Sequence, residues 1–263
     1  MLIAEIGWNF LGDLEIAYKM INKAKQSGAT HVKFQIWDPK YLKKGPWDKD
    51  GRREIYKKAQ ITINIYKKLL DYSQKKKIKC FVSICTLRDL KKITKIQNDL
   101  IKIPSMESHN HKLIDFALNN FKIVIVSVGA LRRKELISLT KYSSTSNFFV
   151  AHCVSSYPMF LKNFKYNKFK YLKENFKNFG YSGHYDGIDD AIFALSNGAT
   201  FIEKHFTIDK SLPGRDNKFA LLPNDFIFIK KYMNNIKLMK RKSNLELLKC
   251  EEEAHKIYRG RWS

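Results

Sequence analysis

Ionisable and hydroxyl side chains recur at the ends of short apolar runs. Glu5 closes the first run, Lys33 and Gln35 stand in the second, Ser83 ends the third, and Lys102, Ser105 and Glu107 come with the fourth. Ser127 ends the fifth, His152 and Ser155 belong to the sixth, Ser182 and His184 to the seventh, and Glu203, Lys204 and His205 to the eighth. Singly these residues decide little. A serine after a strand is usually a turn former, and a lysine in a strand can carry its charge out to water. A glutamate among apolar neighbours is harder to dismiss, because burying it unpaired is costly. Jointly the set suits an anion, a phosphate or carboxylate, beside a divalent metal. The histidines are the natural metal ligands, and a mixed imidazole and oxygen site with open positions suits Mn²⁺ or a similar cation. The competing reading of His184 and His205 is a hydrogen-bonded structural role. For His152, which precedes Cys153 in an apolar run, a buried structural role stands level with a catalytic one. His109, His111 and His255 fall in helical or helix-start contexts and are expected at the surface. The run Glu251, Glu252 and Glu253 reads as a solvated helix face.

Something must bring these residues together. The β-branched runs lie at residues 2–5, 31–35, 78–83, 100–103, 121–127, 148–153, 179–182 and 200–205, and amphipathic helical stretches alternate with them. The first helix is predicted to open at Asp13, a good N-cap, and to end at Ser27 and Gly28. The others are predicted near residues 64–77, 87–96, 111–120, 132–141, 167–176, 188–196 and 224–240. A long polar connection through Gly45-Pro46-Trp47 and Asp50-Gly51-Arg52-Arg53 precedes the second of these helices. Strict alternation predicts a parallel sheet. Eight units in a domain of roughly 250 residues predict a single-domain α/β fold, a closed (β/α)8 TIM barrel. The alternative is an open doubly wound sheet, but Gly7 and Gly12 after the first strand lack the spacing of a dinucleotide-binding turn. In a closed barrel the C-terminal strand ends share one rim, where catalytic groups of this fold lie.

Composition bounds the partners. The 263 residues carry 49 Lys or Arg against 25 Asp or Glu, a formal charge of +24. Lysine outnumbers arginine 40 to 9 and is spread along the whole chain, whereas phosphate- and base-reading surfaces favour bidentate arginine. The charge therefore reads as a lysine-biased surface that also attracts an anionic substrate, not as a nucleic-acid footprint. No apolar run approaches the roughly 20 residues that cross a bilayer, so no membrane partner is expected. The N-terminus lacks a secretory signal. Cys80, Cys85, Cys153 and Cys250 fit no zinc motif or disulfide framework and are read as reduced cysteines of a cytoplasmic protein.

At this point the motifs resemble a known family. The segments Ile3-Ala4-Glu5-Ile6-Gly7, Val32-Lys33-Phe34-Gln35 and Ile101-Lys102-Ile103-Pro104-Ser105-Met106-Glu107 are similar to those of the sialic acid synthases, in their N-terminal catalytic barrel. So are Ala151-His152-Cys153 with Tyr157-Pro158, Tyr181-Ser182-Gly183-His184, and Ile202-Glu203-Lys204-His205-Phe206-Thr207 with Pro213-Gly214-Arg215-Asp216 downstream. The ordered resemblance runs from Leu2 to about Phe226. It implies condensation of phosphoenolpyruvate with an N-acetylated hexosamine to a nonulosonic acid. By similarity, His184 and His205 match the metal-binding histidines, for Mn²⁺ foremost, with Mg²⁺ or Co²⁺ as alternatives. Lys33, Lys102, Ser105, Ser127 and Ser182 match positions that hold phosphoenolpyruvate. Glu5 and Glu107 match the active-site carboxylates. Tyr157 and Asp216 match positions that meet the amino sugar, and Gln35 is assigned to the sugar with them.

The sequence also departs from the family pattern. The loop after the first strand reads Asn9-Phe10-Leu11-Gly12 in place of Asn-His-Asn-Gly. Gly183 replaces an aspartate before the metal histidine, and Ser155 replaces an asparagine. Residues 1–242 are expected to form the barrel, and residues 243–263 a C-terminal helix and shortened linker without the family's antifreeze-like domain. The resemblance implies a homodimer, or a separate chain supplying that domain.

Overall fold

The structure, a computed structural model, describes residues 1–262; Ser263, the last residue of the expected linker, lies outside them. Eight parallel strands close a barrel in sequence order, β1 to β8. They are β1 (Leu2–Gly7), β2 (His31–Ile36), β3 (Lys79–Ile84), β4 (Leu100–Ile103), β5 (Ile123–Ser127), β6 (Phe148–His152), β7 (Phe179–Gly183) and β8 (Ile202–His205). Closure pairs Glu5 with His205 on one side of β1 and with Lys33 on the other.

The helices follow the predicted order: α1 (Leu14–Gln26), α2 (Arg52–Lys58), α3 (Ile63–Lys75), α4 (Leu87–Ile93), α5 (His111–Asn120), α6 (Arg133–Ser138), α7 (Tyr166–Asn175), α8 (Asp189–Ser196) and α9 (Pro223–Met239). Their starts have local causes. Asp13 Oδ1 accepts from the backbone N–H groups of Glu15 and Ile16, and Thr62, Thr86 and Asn110 cap α3, α4 and α5 in the same way. Helix α2 corrects the reading of the segment through Gly45-Pro46-Trp47 and Asp50-Gly51-Arg52-Arg53 as a polar connection. It spans seven residues and buries none of them, so the periodic apolar stripe that announces a helix is missing. After α9 the C-terminal segment carries a short 3₁₀ helix at Lys249–Glu251 and a π-helix at Ala254–Tyr258, every residue of both exposed. Among the described residues no helix is long and apolar enough to cross a membrane, and the four cysteines are free thiols.

Side chains alternate across each strand, so the barrel has two separate interiors. Ala4, Val32, Val82, Ile101, Val126, Val150 and Ile202 point outward and pack under the helices. Ile3, Phe81, Leu100, Ile125, Ala151 and Phe201 fill a distinct layer inside the barrel. That layer is a packed floor, as expected for eight strands. Two residues further along the same strands stand Glu5, Ser83, Lys102, Ser127, Cys153 and Glu203, and Lys33 joins them from β2. The strand period therefore sets a polar layer directly above an apolar one.

Candidate active site

The polar layer is a buried charge network. Lys33 Nζ lies 2.5 Å from Glu5 Oε2 and 3.6 Å from Glu203 Oε1. Lys102 Nζ donates to Glu203 Oε1 and, at 3.1 Å, to Ser182 Oγ, whose own hydroxyl donates to Glu203 at 3.1 Å. Gln35 Nε2 donates to the other oxygen of Glu5. All four charged groups are almost fully removed from water. Two lysines and two glutamates balance only if both carboxyls ionise. They differ in that respect. Burial raises the Glu5 carboxyl, and the neighbouring Glu203 charge adds to the effect against Lys33. Burial acts on Glu203 too, but Lys102 and Lys33 outweigh it and hold that carboxyl below its usual range. Burial lowers Lys102 despite Glu203, whereas Glu203 and Glu5 keep Lys33 raised against the same burial.

Two hydroxyls complete the floor. Ser127 Oγ is buried with no hydrogen-bond partner, as is Glu203 Oε2. Ser105 Oγ accepts from the Gly129 backbone N–H at 2.8 Å, which fixes the turn after β5. Unpartnered buried polar atoms are rare.

One step further along β7 and β8 stand the imidazoles. The rings of His184 and His205 lie 5.4 Å apart. Nδ1 of His184 is 2.8 Å from the Val154 carbonyl. A carbonyl can only accept, so Nδ1 carries a proton; burial pushes the His184 imidazole down, but Cys153 and the Val154 carbonyl outweigh it and hold it above its usual range. His205 is held well below the usual histidine range by burial, with His184, Lys33 and Lys102 adding to it. Its Nδ1 has no hydrogen-bond partner, and Asp216 Oδ2 stands 3.6 Å away. A cation requires the neutral form of an imidazole, which the surroundings of His205 favour. Among the described residues no group of three or more His, Cys, Asp or Glu is arranged to hold a metal ion. Cys153 Sγ lies 3.8 Å from His184 Nδ1; burial pushes the thiol up, but the imidazole outweighs it and draws it down.

The outer wall is aromatic. The Tyr157 ring lies 4.2 Å from the His184 ring at a tilt of 43°, beside a cis Tyr157–Pro158 bond, and Phe219 stands 5.0 Å from His205. Trp8 donates from Nε1 to Asp216 Oδ2 and stacks on Tyr56 of α2 at 5.2 Å. Trp8 reaches this position because β1 ends in a bulge at Gly7, with φ +55°. A Cβ there would stand 3.0 Å from Glu5 Oε1.

The structure gathers Glu5, Lys33, Gln35, Lys102, Ser105, Ser127, Ser182, Tyr157, Asp216, His184 and His205 at one mouth. Glu107 sits apart from the charge network, on the 3₁₀ turn Ser105–Glu107, where its carboxylate accepts from Asn110 Nδ2 at 3.4 Å. Two strand-end residues face away. His152 points outward into rings of Phe164, Phe169 and Tyr181, 4.9, 5.5 and 5.7 Å off, and burial holds it at about 3. That decides its two readings in favour of a buried packing role. Lys204 also points outward, to Asp190. Glu203 is the residue to which the resemblance assigns no role, although it bridges both lysines. Its signal in the sequence is its position two residues beyond Phe201, which places it on the inner face.

The class follows from these features: a (β/α)8 barrel with a buried pair of lysines and glutamates in the layer above its apolar floor and two imidazoles beyond them. Residues 20–244 match the model of the NeuB family, and the chain belongs to that family. It is 30% identical to pseudaminic acid synthase of Campylobacter jejuni over 240 residues, covering 86% of this chain and 70% of that protein. It is likewise 30% identical to N-acetylneuraminate-9-phosphate synthase of Drosophila melanogaster over 254 residues, covering 90% and 68%. The crystal structure of N-acetylneuraminic acid synthetase from Leptospira borgpetersenii, in complex with citrate, superposes with a TM-score of 0.86 at 28% identity, covering 98% of this chain and 92% of that one.

Proposed function

We propose that this protein condenses phosphoenolpyruvate with an N-acetylated hexosamine, N-acetylmannosamine or a diacetamido-trideoxy hexose, to give a nonulosonic acid and phosphate. The carrying observation is the pair Lys33 and Lys102 on the barrel floor, with the unpartnered Ser127 hydroxyl in the same layer and the two imidazoles above. The names of the relatives, synthases of pseudaminic and neuraminic acids, support the same reading.

Lys33 and Lys102 neutralise the carboxylate and phosphate, and Ser105, Ser127 and Ser182 supply hydroxyls to their oxygens. Tyr157, Asp216 and Gln35 meet the sugar. His184 and His205 would hold a divalent cation, Mn²⁺ by preference, which when bound would supply Lewis-acid polarisation of the sugar aldehyde. The methylene carbon of phosphoenolpyruvate forms the new carbon–carbon bond to that aldehyde. Water adds to the neighbouring carbon, and phosphate leaves by carbon–oxygen cleavage. Glu5, raised by burial and 2.5 Å from Lys33, is placed to orient that water and take its proton. Glu107 lies outside the network and serves as a second, outer carboxylate.

Phosphate release tests this reading. The chain is incubated with phosphoenolpyruvate, Mn²⁺ and a panel of 2-acetamido sugars, with His205→Ala and chelator-treated protein as controls. Release with at least one sugar, abolished in both controls, is expected. Absence of release with every sugar overturns the reading.

A further inference from the structure

Behind the imidazole pair, on the outer face of the barrel, lies a second buried charge cluster that the chemistry above does not use. Lys204 sits between Glu203 and His205 in sequence, but its side chain points the other way. Its ammonium has three donors, and all three are filled. They go to Asp190 Oδ1 at 2.9 Å, Asp190 Oδ2 at 2.8 Å and the backbone carbonyl of Tyr185 at 2.7 Å. Asp190, on α8, also accepts from the Tyr181 hydroxyl at 2.8 Å and from the Ala191 N–H at 2.7 Å. Both charges are 1% exposed. The cluster thus ties β7, β8 and α8 to the residue that directly follows His184.

Gly183 is part of the arrangement. A Cβ at that position would stand 2.4 Å from Asp190 Oδ2 and 2.4 Å from Tyr181 Cε1. The carboxylate of Asp190 and the ring of Tyr181 occupy the space a side chain at 183 would need. His184 itself is held at two further points: its ring Nδ1 donates to Val154 and its backbone carbonyl accepts from the Met159 N–H at 3.0 Å.

We propose that Lys204 and Asp190, with Tyr181, are positioning residues that fix the Tyr185 carbonyl and thereby hold the His184 ring in register with His205. The inference rests on His184 being a working residue of the proposed site. A merely structural pair would support the fold without setting the ring.

The two roles separate by experiment. Asp190→Leu/Lys204→Met removes both charges together and leaves no unpaired ion in the core. It deletes the donor to the Tyr185 carbonyl. In protein labelled with ¹⁵N-histidine, wild type should show His184 as a single Nδ1–H form. The double variant should melt within a few degrees of wild type yet exchange the His184 Nδ1–H with solvent at least tenfold faster. Mn²⁺ binding, followed by the spectrum of the free ion, should weaken by about 10- to 100-fold. Asp190→Asn/Lys204→Met, closer in shape, carries the same expectation should the first fail to fold. Asp190→Asn alone keeps the bond from Lys204 to Tyr185, and should lose stability while leaving the His184 proton near its wild-type exchange rate. Unchanged exchange in the folded double variants overturns the proposal, as does equally fast exchange in Asp190→Asn. Wild type that binds no Mn²⁺ and releases no phosphate would defeat the functional reading, while the proton exchange would still decide this one.

Discussion

Lys102 and Glu203 meet across the barrel lumen, the lysine ammonium donating to Oε1 of the carboxylate, both in the layer directly above the apolar floor and both shielded from water. Lys102→Met therefore has two separable effects. It strands the Glu203 carboxylate, whose remaining partners are Ser182 at 3.1 Å and Lys33 at 3.6 Å, and should cost about 3–5 kcal/mol of stability in urea unfolding. It also removes an anion ligand, and kcat/KM for phosphate release should fall at least ~100-fold, about 2.7 kcal/mol. Lys102→Met/Glu203→Leu should regain most of the stability and none of the activity. Recovery of activity in the double variant would show that the lysine serves the fold alone.

Ser127 gives a cleaner probe, because its hydroxyl is buried without a partner. Ser127→Ala removes no internal hydrogen bond, so its stability should stay within about 0.5 kcal/mol of wild type. If that hydroxyl is kept for the substrate anion, KM for phosphoenolpyruvate should rise about tenfold, equivalent to ~1.4 kcal/mol. Steady-state kinetics alongside thermal melting decide the matter, and an unchanged KM would remove Ser127 from the site.

Gly183→Ala tests the close approach behind His184. The added methyl would meet Asp190 Oδ2 and Tyr181 Cε1, each at 2.4 Å, in a fully packed interior. Overpacking of this kind should cost about 1–3 kcal/mol in urea unfolding. A neutral result would mean that the carboxylate and ring can swing aside.

His152 sets part of the acid limit. Its imidazole, boxed by Phe164, Phe169 and Tyr181, is held at about 3 by burial, against 6.5 when exposed. Below pH 6.5 the unfolded chain takes up a proton that the folded chain refuses. Stability present above pH 6.5 is then lost as pH falls toward 3, at about 1.4 kcal/mol per pH unit for this group. His31, lowered to about 4 by burial and the Lys79 charge, adds to the same decline. His152→Phe should flatten the slope of unfolding free energy between pH 6.5 and 4 by roughly that amount. An unaltered slope would place the acid sensitivity elsewhere.

The sequence by itself determined the barrel and most of the site. Eight β-branched runs alternating with amphipathic helices leave little choice but a parallel closed sheet, and the shared rim of such a sheet brings Glu5, Lys33, Lys102, Ser182 and His205 together whatever the details. Helix α2 was hidden because it buries no residue and so prints no stripe. The tertiary structure decided which neighbour faces which way. Glu203, Lys204 and His205 are consecutive, yet the first and third enter the lumen and the second leaves it, because a strand turns its side chains to alternate faces and only the packed barrel says which face is inside. That phase made Glu203 the partner of Lys102, sent His152 into an aromatic box, and gave Lys204 to Asp190, fourteen residues away in sequence but 2.8 Å away in space.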